Sequence, residues 1–150
     1  GDPEVLDSVV TLPFNQHVGI QESQSNGGLL ELPAGEQYLN YIGTVHAGAQ
    51  LALAEACSGE FLLKSTLNLP GIFPVVRRVE AKFKKPARGR ITASAYTALD
   101  AIDVAHREIA SKGRCLLSIV VNLYDEQGEH ALASCFEWFI AKTNNGSEQE

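Results

Sequence analysis

Two kinds of apolar segment alternate along the chain, and their periods differ. From Thr44 to Lys64 the sequence is rich in Ala and Leu and holds no proline. Coiled as a helix, it places apolar residues on nearly every side rather than on one stripe. Such a helix has to be buried all round. The segments that follow it read differently. RRVEAKF (77–83) sets Arg78, Glu80 and Lys82 against Val79, Ala81 and Phe83, the period of two of a half-buried antiparallel strand. RITASAYTA (90–98), CLLSIVVNLYD (115–125) and ALASCFEWFIA (131–141) continue as strands. Pro70 and Pro74 bracket a loop ahead of the first of these, and EQGEH turns the chain between the last two.

Smaller signals fill the gaps. PFNQHVGIQ reads as a turn of helix running into a strand around His17 to Glu22, and GLLELPAG as a second short strand ended by Pro33 and Gly35. The SQSNGG turn between them makes a hairpin. Asp100 is placed to cap a short helix, AIDVAHREIASK, that Gly113 stops. The order is therefore hairpin, buried helix, then four strands interrupted by a small helix. A single antiparallel sheet covers an all-apolar helix only by curling round it. The expected fold class is α+β, a hot-dog fold in which a curved antiparallel sheet wraps a long central helix. It is expected as one domain over 14–142, after an N-terminal segment 1–13 and before a disordered polar tail 143–150. The chain opens Gly-Asp-Pro and has no methionine, as expected of a processed or tag-cleaved start, so residues 1–3 are set aside.

Composition narrows the classes. A chain of 150 residues, 45% hydrophobic, has enough material for one core. A net charge of −6 argues against a nucleic-acid partner, which needs clustered cations in a basic context. Three cysteines without a CxxC pair favour a reducing compartment, and no metal-ligand spacing stands out. No signal pattern and no apolar run of the roughly 18 residues of a membrane span is present. These features point to a soluble cytoplasmic protein without a membrane partner.

Within residues 40–59 only His46 and Glu55 carry charge near neutral pH. An ionised carboxylate buried without partners costs several kcal/mol or more. Glu55 therefore pairs with Lys64 or a strand arginine, shifts its pKa, or faces a cleft. From His46 to Glu55 a helix turns through ~900° and rises ~13 Å. Within one chain the two groups point apart, so a shared site needs the helix start of a second chain. The free amides of Ala47 and Gly48, at the positive end of the helix, suit a carbonyl oxygen that gains negative charge. Seven of the twelve basic residues fall within 77–90. Arg78, Lys82, Lys84, Lys85 and Arg88 are the candidate phosphate dock, against the alternative of a solvated strand face that discourages edge pairing. Cys57 reads as a small buried residue, and His17, His106 and His130 as turn or surface positions. Ala52, Ala54 and Ala56 leave room beside the helix.

Asn40, Gly43, His46, Ala47, Gly48 and Glu55 together resemble the signature of hot-dog acyl-CoA thioesterases of the phenylacetyl-CoA and 4-hydroxybenzoyl-CoA type. In that signature an amide residue stands six before a His-Gly-Gly and an acid nine after the His. Ala47 stands where the enzymes have the first glycine. The wording GTVHAGA...LAEACSG resembles a branch of that superfamily of mostly unassigned function. The resemblance implies an acyl-CoA substrate, with coenzyme A present only as part of it and no other cofactor, and a homodimer or dimer of dimers with sites at the interface. It implies Glu55 as general base or nucleophile, Asn40 bonding the water or the carboxylate, and His46, Ala47 and Gly48 around the thioester. A non-catalytic acyl-CoA binding module and a hot-dog dehydratase or hydratase are the alternatives.

Overall fold

The computed structural model describes residues 6–143. In chain order the elements are α1 (Pro13–Val18), β1 (Gln21–Glu22), β2 (Leu30–Leu32), α2 (Ala47–Leu63), β3 (Ile72–Phe83), β4 (Ile91–Tyr96), α3 (Ala101–Lys112), β5 (Arg114–Tyr124) and β6 (His130–Lys142). Single 3-10 turns stand at Val9–Thr11 and Glu36–Tyr38. All strands join one antiparallel sheet in the order β1-β2-β4-β5-β6-β3. The sheet curves round α2 in a hot-dog fold.

Strict alternation explains the inner face. Cys115, Leu117, Ile119, Val121 and Leu123 of β5 are all buried. Their register partners on β6 include Trp138, Phe136 and Leu132, so two apolar rows meet on the side facing α2. Against them α2 buries Leu53, Ala54, Ala56, Cys57 and Leu62. Its small residues let the helix axis lie close to the sheet, and Trp138 fills the space above. The indole Nε1–H donates to Ser58 Oγ at 3.1 Å, and that hydroxyl donates in turn to the Glu55 carbonyl at 2.7 Å.

Three boundaries differ from the sequence reading. The helix starts at Ala47 rather than Thr44. Pro74 lies inside β3, not in a loop, because β3 is the last strand of the sheet and a missing donor costs nothing on its open side. His17 lies in the last turn of α1, which ends at Val18, and only Gln21–Glu22 forms strand.

A fourth difference concerns burial. Val79 and Phe83, expected on a covered face, are each 46% exposed. They share the inner side with Phe136 and Leu132, but α2 packs chiefly on β4 and β5 and leaves this end of β3 uncovered. The sheet thus ends in a strand with an apolar face and an unpaired backbone edge, an arrangement that invites a partner.

The packed unit begins before Phe14, since Ser8 and Val9 are buried against α2. Thr143 bonds the Gly71 carbonyl, and the rest of the expected tail, like residues 1–5, lies outside the described residues. Among the described residues no helix is long and apolar enough to cross a membrane.

Candidate active site at the start of the central helix

A tight loop delivers the chain into α2. The Asn40 Oδ1 accepts from the Ile42 and Thr44 N–H groups at 3.1 and 3.0 Å, while its Nδ2 donates to Thr44 Oγ1 at 2.9 Å. Gly43 takes φ +82 to close the turn. The Asn40 carboxamide therefore holds its own loop shut, with both acceptor sites of its oxygen filled. At the tip, Tyr41 is 97% exposed beside an exposed Ile42.

His46 is the N-cap of α2. Its Nδ1 accepts the Gly48 N–H at 2.8 Å, and its carbonyl accepts the Gln50 N–H at 3.1 Å. Because Nδ1 is the acceptor, a neutral ring carries its proton on Nε2. One amide assigned to the oxyanion site is thus already engaged, since the Gly48 N–H caps the helix onto His46. Among the described residues the Ala47 and Ala49 N–H groups have no acceptor. They remain available at the positive end of the helix dipole.

Glu55 stands on the outer face of α2. From Gly48 the helix turns ~700° and rises ~10 Å, so Gly48, Ala52 and Glu55 share one stripe. The side chain reaches solvent, yet enough protein surrounds it that burial raises its carboxyl above the ordinary range. No described residue donates a hydrogen bond to it. The sequence reading placed Glu55 inside a helix buried on all sides. That expectation fails, because the sheet covers only the opposite faces.

The buried acid of α2 is Glu60, which sequence reasoning passed over. It is 1% exposed, and its carboxylate accepts from Ser8 Oγ at 3.1 and 3.0 Å and from the Val9 N–H at 2.8 Å. Lys64, the pairing candidate for Glu55, lies 3.6 Å from Glu60 instead. The signal was present in the spacing. Leu53, Cys57 and Glu60 follow one another at i+4 and i+3 along the inward stripe.

A groove of about 700 Å³ opens between α1, the Glu36–Tyr38 turn and the first turns of α2. His46, Gly48, Ala49 and Ala52 form one wall, and Phe14, His17 and Val18 the other. His17, expected only as a surface residue, thus joins the wall opposite His46. Ala54 and Ala56, expected to leave room, are spent in the core. Gly19 ends α1 at φ +97, where a Cβ would run into the Tyr38 hydroxyl, and that hydroxyl donates to the Val18 carbonyl. Gly19→Ala should therefore cost about 1–3 kcal/mol from left-handed strain and the lost contact. A thermal melt would register it as a drop of several degrees.

The model of the DUF4442 family, a domain of unknown function, matches residues 10–140. The chain belongs to that family. No curated protein matches it significantly. Solved structures share the fold. A Pseudomonas aeruginosa protein described as a probable thioesterase is 27% identical, with 87% of this chain and 88% of that chain covered at a TM-score of 0.72. A Staphylococcus aureus thioesterase was solved as two variants, with alanine replacing a glutamine in one and a glutamate fifteen positions later in the other. They are 20% and 18% identical over 85% and 86% of this chain and 98% of that chain, at TM-scores of 0.62 and 0.63. A hypothetical thioesterase from Streptococcus pneumoniae, solved with coenzyme A, is 17% identical over 83% of this chain and 87% of that one at 0.59.

The DUF4442 match takes in the groove, the start of α2 and the basic segment. In that segment Arg78 pairs with Glu80 and Lys85 with Glu129, each at 3.0 Å, while Arg77 and Arg90 lie 3.6 Å from Glu137 and Glu31. The side-chain cations of Lys82, Lys84 and Arg88 form no salt bridge among the described residues, although the Arg88 backbone N–H donates to Asp125 Oδ2 at 3.1 Å. Of the five candidate dock residues, two are already neutralised by acids and three are not. Cys57 is fully buried, and its thiol is pushed up to about 12 by burial and then by the Glu60 charge, so it stays protonated.

Proposed function

We propose that the protein is an acyl-CoA thioesterase working as a homodimer, with Glu55 of one copy facing the start of α2 in the other. The carrying observation is a carboxylate with raised pKa and no partner on the one stripe of α2 that the sheet leaves bare. Two antiparallel α2 helices related by a two-fold axis near Ala52 would set Glu55 level with Gly48 of the second copy. Ala52 is small enough for such an approach. The uncovered apolar end of β3 gives the dimer a second area to bury.

In this arrangement the thioester carbonyl lies against the Ala47 and Ala49 N–H groups and the His46 Nε2–H. These donors stabilise its oxygen as negative charge develops. Glu55 takes the proton of the water that adds to the carbonyl, or attacks the carbonyl itself to form an anhydride that water then hydrolyses. Either way the C–S bond breaks and the coenzyme A thiolate leaves. Asn40 acts by holding the loop that aims His46. Lys82, Lys84 and Arg88 are the cations free to meet phosphates. Two features of the neighbours support the reading. One was solved with coenzyme A, and the two altered positions of the S. aureus thioesterase are fifteen apart, the separation of Asn40 and Glu55 here. The three unpaired cysteines fit a reducing, cytoplasmic setting.

The test is thiol release from an acyl-CoA panel, run together with a solution mass. A dimer that releases thiol is the expected result, and a stable monomer would sink the shared site. A binding module without turnover is the second reading, favoured by the filled acceptor sites of Asn40. It predicts ligand-dependent thermal stabilisation with no free thiol. A dehydratase would reveal itself by a change in enoyl-CoA absorbance.

A further inference from the structure

We propose that the acyl group taken by this site ends in a hydrogen-bond-accepting oxygen, a hydroxyl or a carboxylate, bound by His17 and Gln37. The inference rests on the thioesterase reading of α2, because it assumes that the thioester carbonyl lies at the His46 end of the same groove. His17 and Gln37 both line that groove. Neither side chain bonds any described residue, in contrast to the other polar groups nearby. Tyr38 is committed to Val18, and the Gly48 amide to His46.

The wall that presents His17 is held in place from both ends. Asn15 Nδ2 donates to the Val9 carbonyl at 2.9 Å, and the Tyr38 hydroxyl binds the last turn of α1. The imidazole is therefore placed by the fold and not by a mobile arm.

Desolvation decides between alkyl and oxygen-bearing groups. An alkyl chain laid along this groove would strip water from the imidazole and the carboxamide and replace it with nothing. Each group so orphaned weakens binding on the order of tenfold, whereas one buried methylene returns only about fourfold. A terminal oxygen accepts from both groups instead. Phe14 and Leu39 supply apolar surface for the carbons before it. Among the residues of this chain that line the groove there is no Asp or Glu, despite the net negative charge of the chain.

The experiment compares matched pairs, succinyl-CoA with butyryl-CoA and adipoyl-CoA with hexanoyl-CoA, and adds 4-hydroxybutyryl-CoA to separate hydroxyl from carboxylate. It measures kcat/KM on the full chain and, in parallel, Kd for the non-hydrolysable thioether analogues. The oxygen-ended member of each pair should be preferred on the order of tenfold by both measures. His17→Leu should lower each ratio several-fold, and His17→Leu combined with Gln37→Leu should bring it close to one. His106→Leu, which alters an imidazole bound to Thr66 on α3, should leave the ratios as they are. Equal or better binding of the alkyl members overturns the inference, and so does a ratio that His17→Leu leaves unchanged. If no acyl-CoA releases thiol, hydrolysis fails as the function, and the analogue Kd values still decide what the groove selects.

Discussion

Glu55→Gln should lower thiol release roughly a hundred- to ten-thousand-fold, the range lost with a general acid–base group, while the variant melts no lower than the native protein. The two outcomes have one cause. The carboxylate has no hydrogen-bond donor among the described residues, so the amide removes chemistry without removing a contact. The pH dependence follows from the raised pKa of Glu55. Hydrolysis needs the ionised form, so the rate should climb as pH rises through that raised value. Stability runs the other way. A carboxyl raised in the folded state favours folding most below its ordinary range, and that contribution is lost as pH rises through the raised pKa. Native and Gln variant should therefore melt closest together at acidic pH, where both side chains are neutral, and the variant should lead at neutral pH. A Gln variant that keeps native turnover removes Glu55 from the reaction. One that unfolds at ordinary temperature shows that the residue serves the fold.

Glu60→Ala should be the most damaging substitution on the helix, at about 2–4 kcal/mol. It orphans the Ser8 hydroxyl and the Val9 N–H, both buried. Little of the cost comes from the ion pair, because Lys64 is 54% exposed and water screens it. The expected readout is a melting temperature roughly 5–15 °C lower, with protease cutting first near residues 6–12 as that segment detaches. Lys64→Ala should cost less than about 1 kcal/mol. Equal losses from the two substitutions would mean that the ion pair, not the bonds to Ser8 and Val9, holds the segment.

Much of the architecture was legible because periodicity is a property of the chain alone. The alternation in 115–125 and 131–141 gave β5 and β6, and the Ala- and Leu-rich stretch gave α2 within three residues. Gly113 ends α3 as expected, although the Asp100 side chain makes no capping bond. Asn40, His46 and Glu55 were grouped as a set only by the resemblance to the hot-dog thioesterase signature. What failed were statements about surroundings. Glu55 and Glu60 are both acids in one apolar helix, and composition alone does not tell which of them faces the sheet. Val79 and Phe83 alternate like core residues, yet the helix ends short of them. His17 is exposed as expected, and only the tertiary fold shows that it also lines the groove.

By itself the sequence determined the element order, the antiparallel class and the extent of α2, because local dihedral preference and hydrophobic period act over a few neighbouring residues. Only the tertiary structure decided which acid is sealed against Ser8 and Val9 and which stands free. It also decided that two histidines far apart in the chain face one groove. Which acid is sealed depends on the rotation of α2 about its axis. That rotation is set by the apolar residues that α2 and the sheet bury together, among them Leu53 and Cys57 of the helix and Trp138, far from them along the chain.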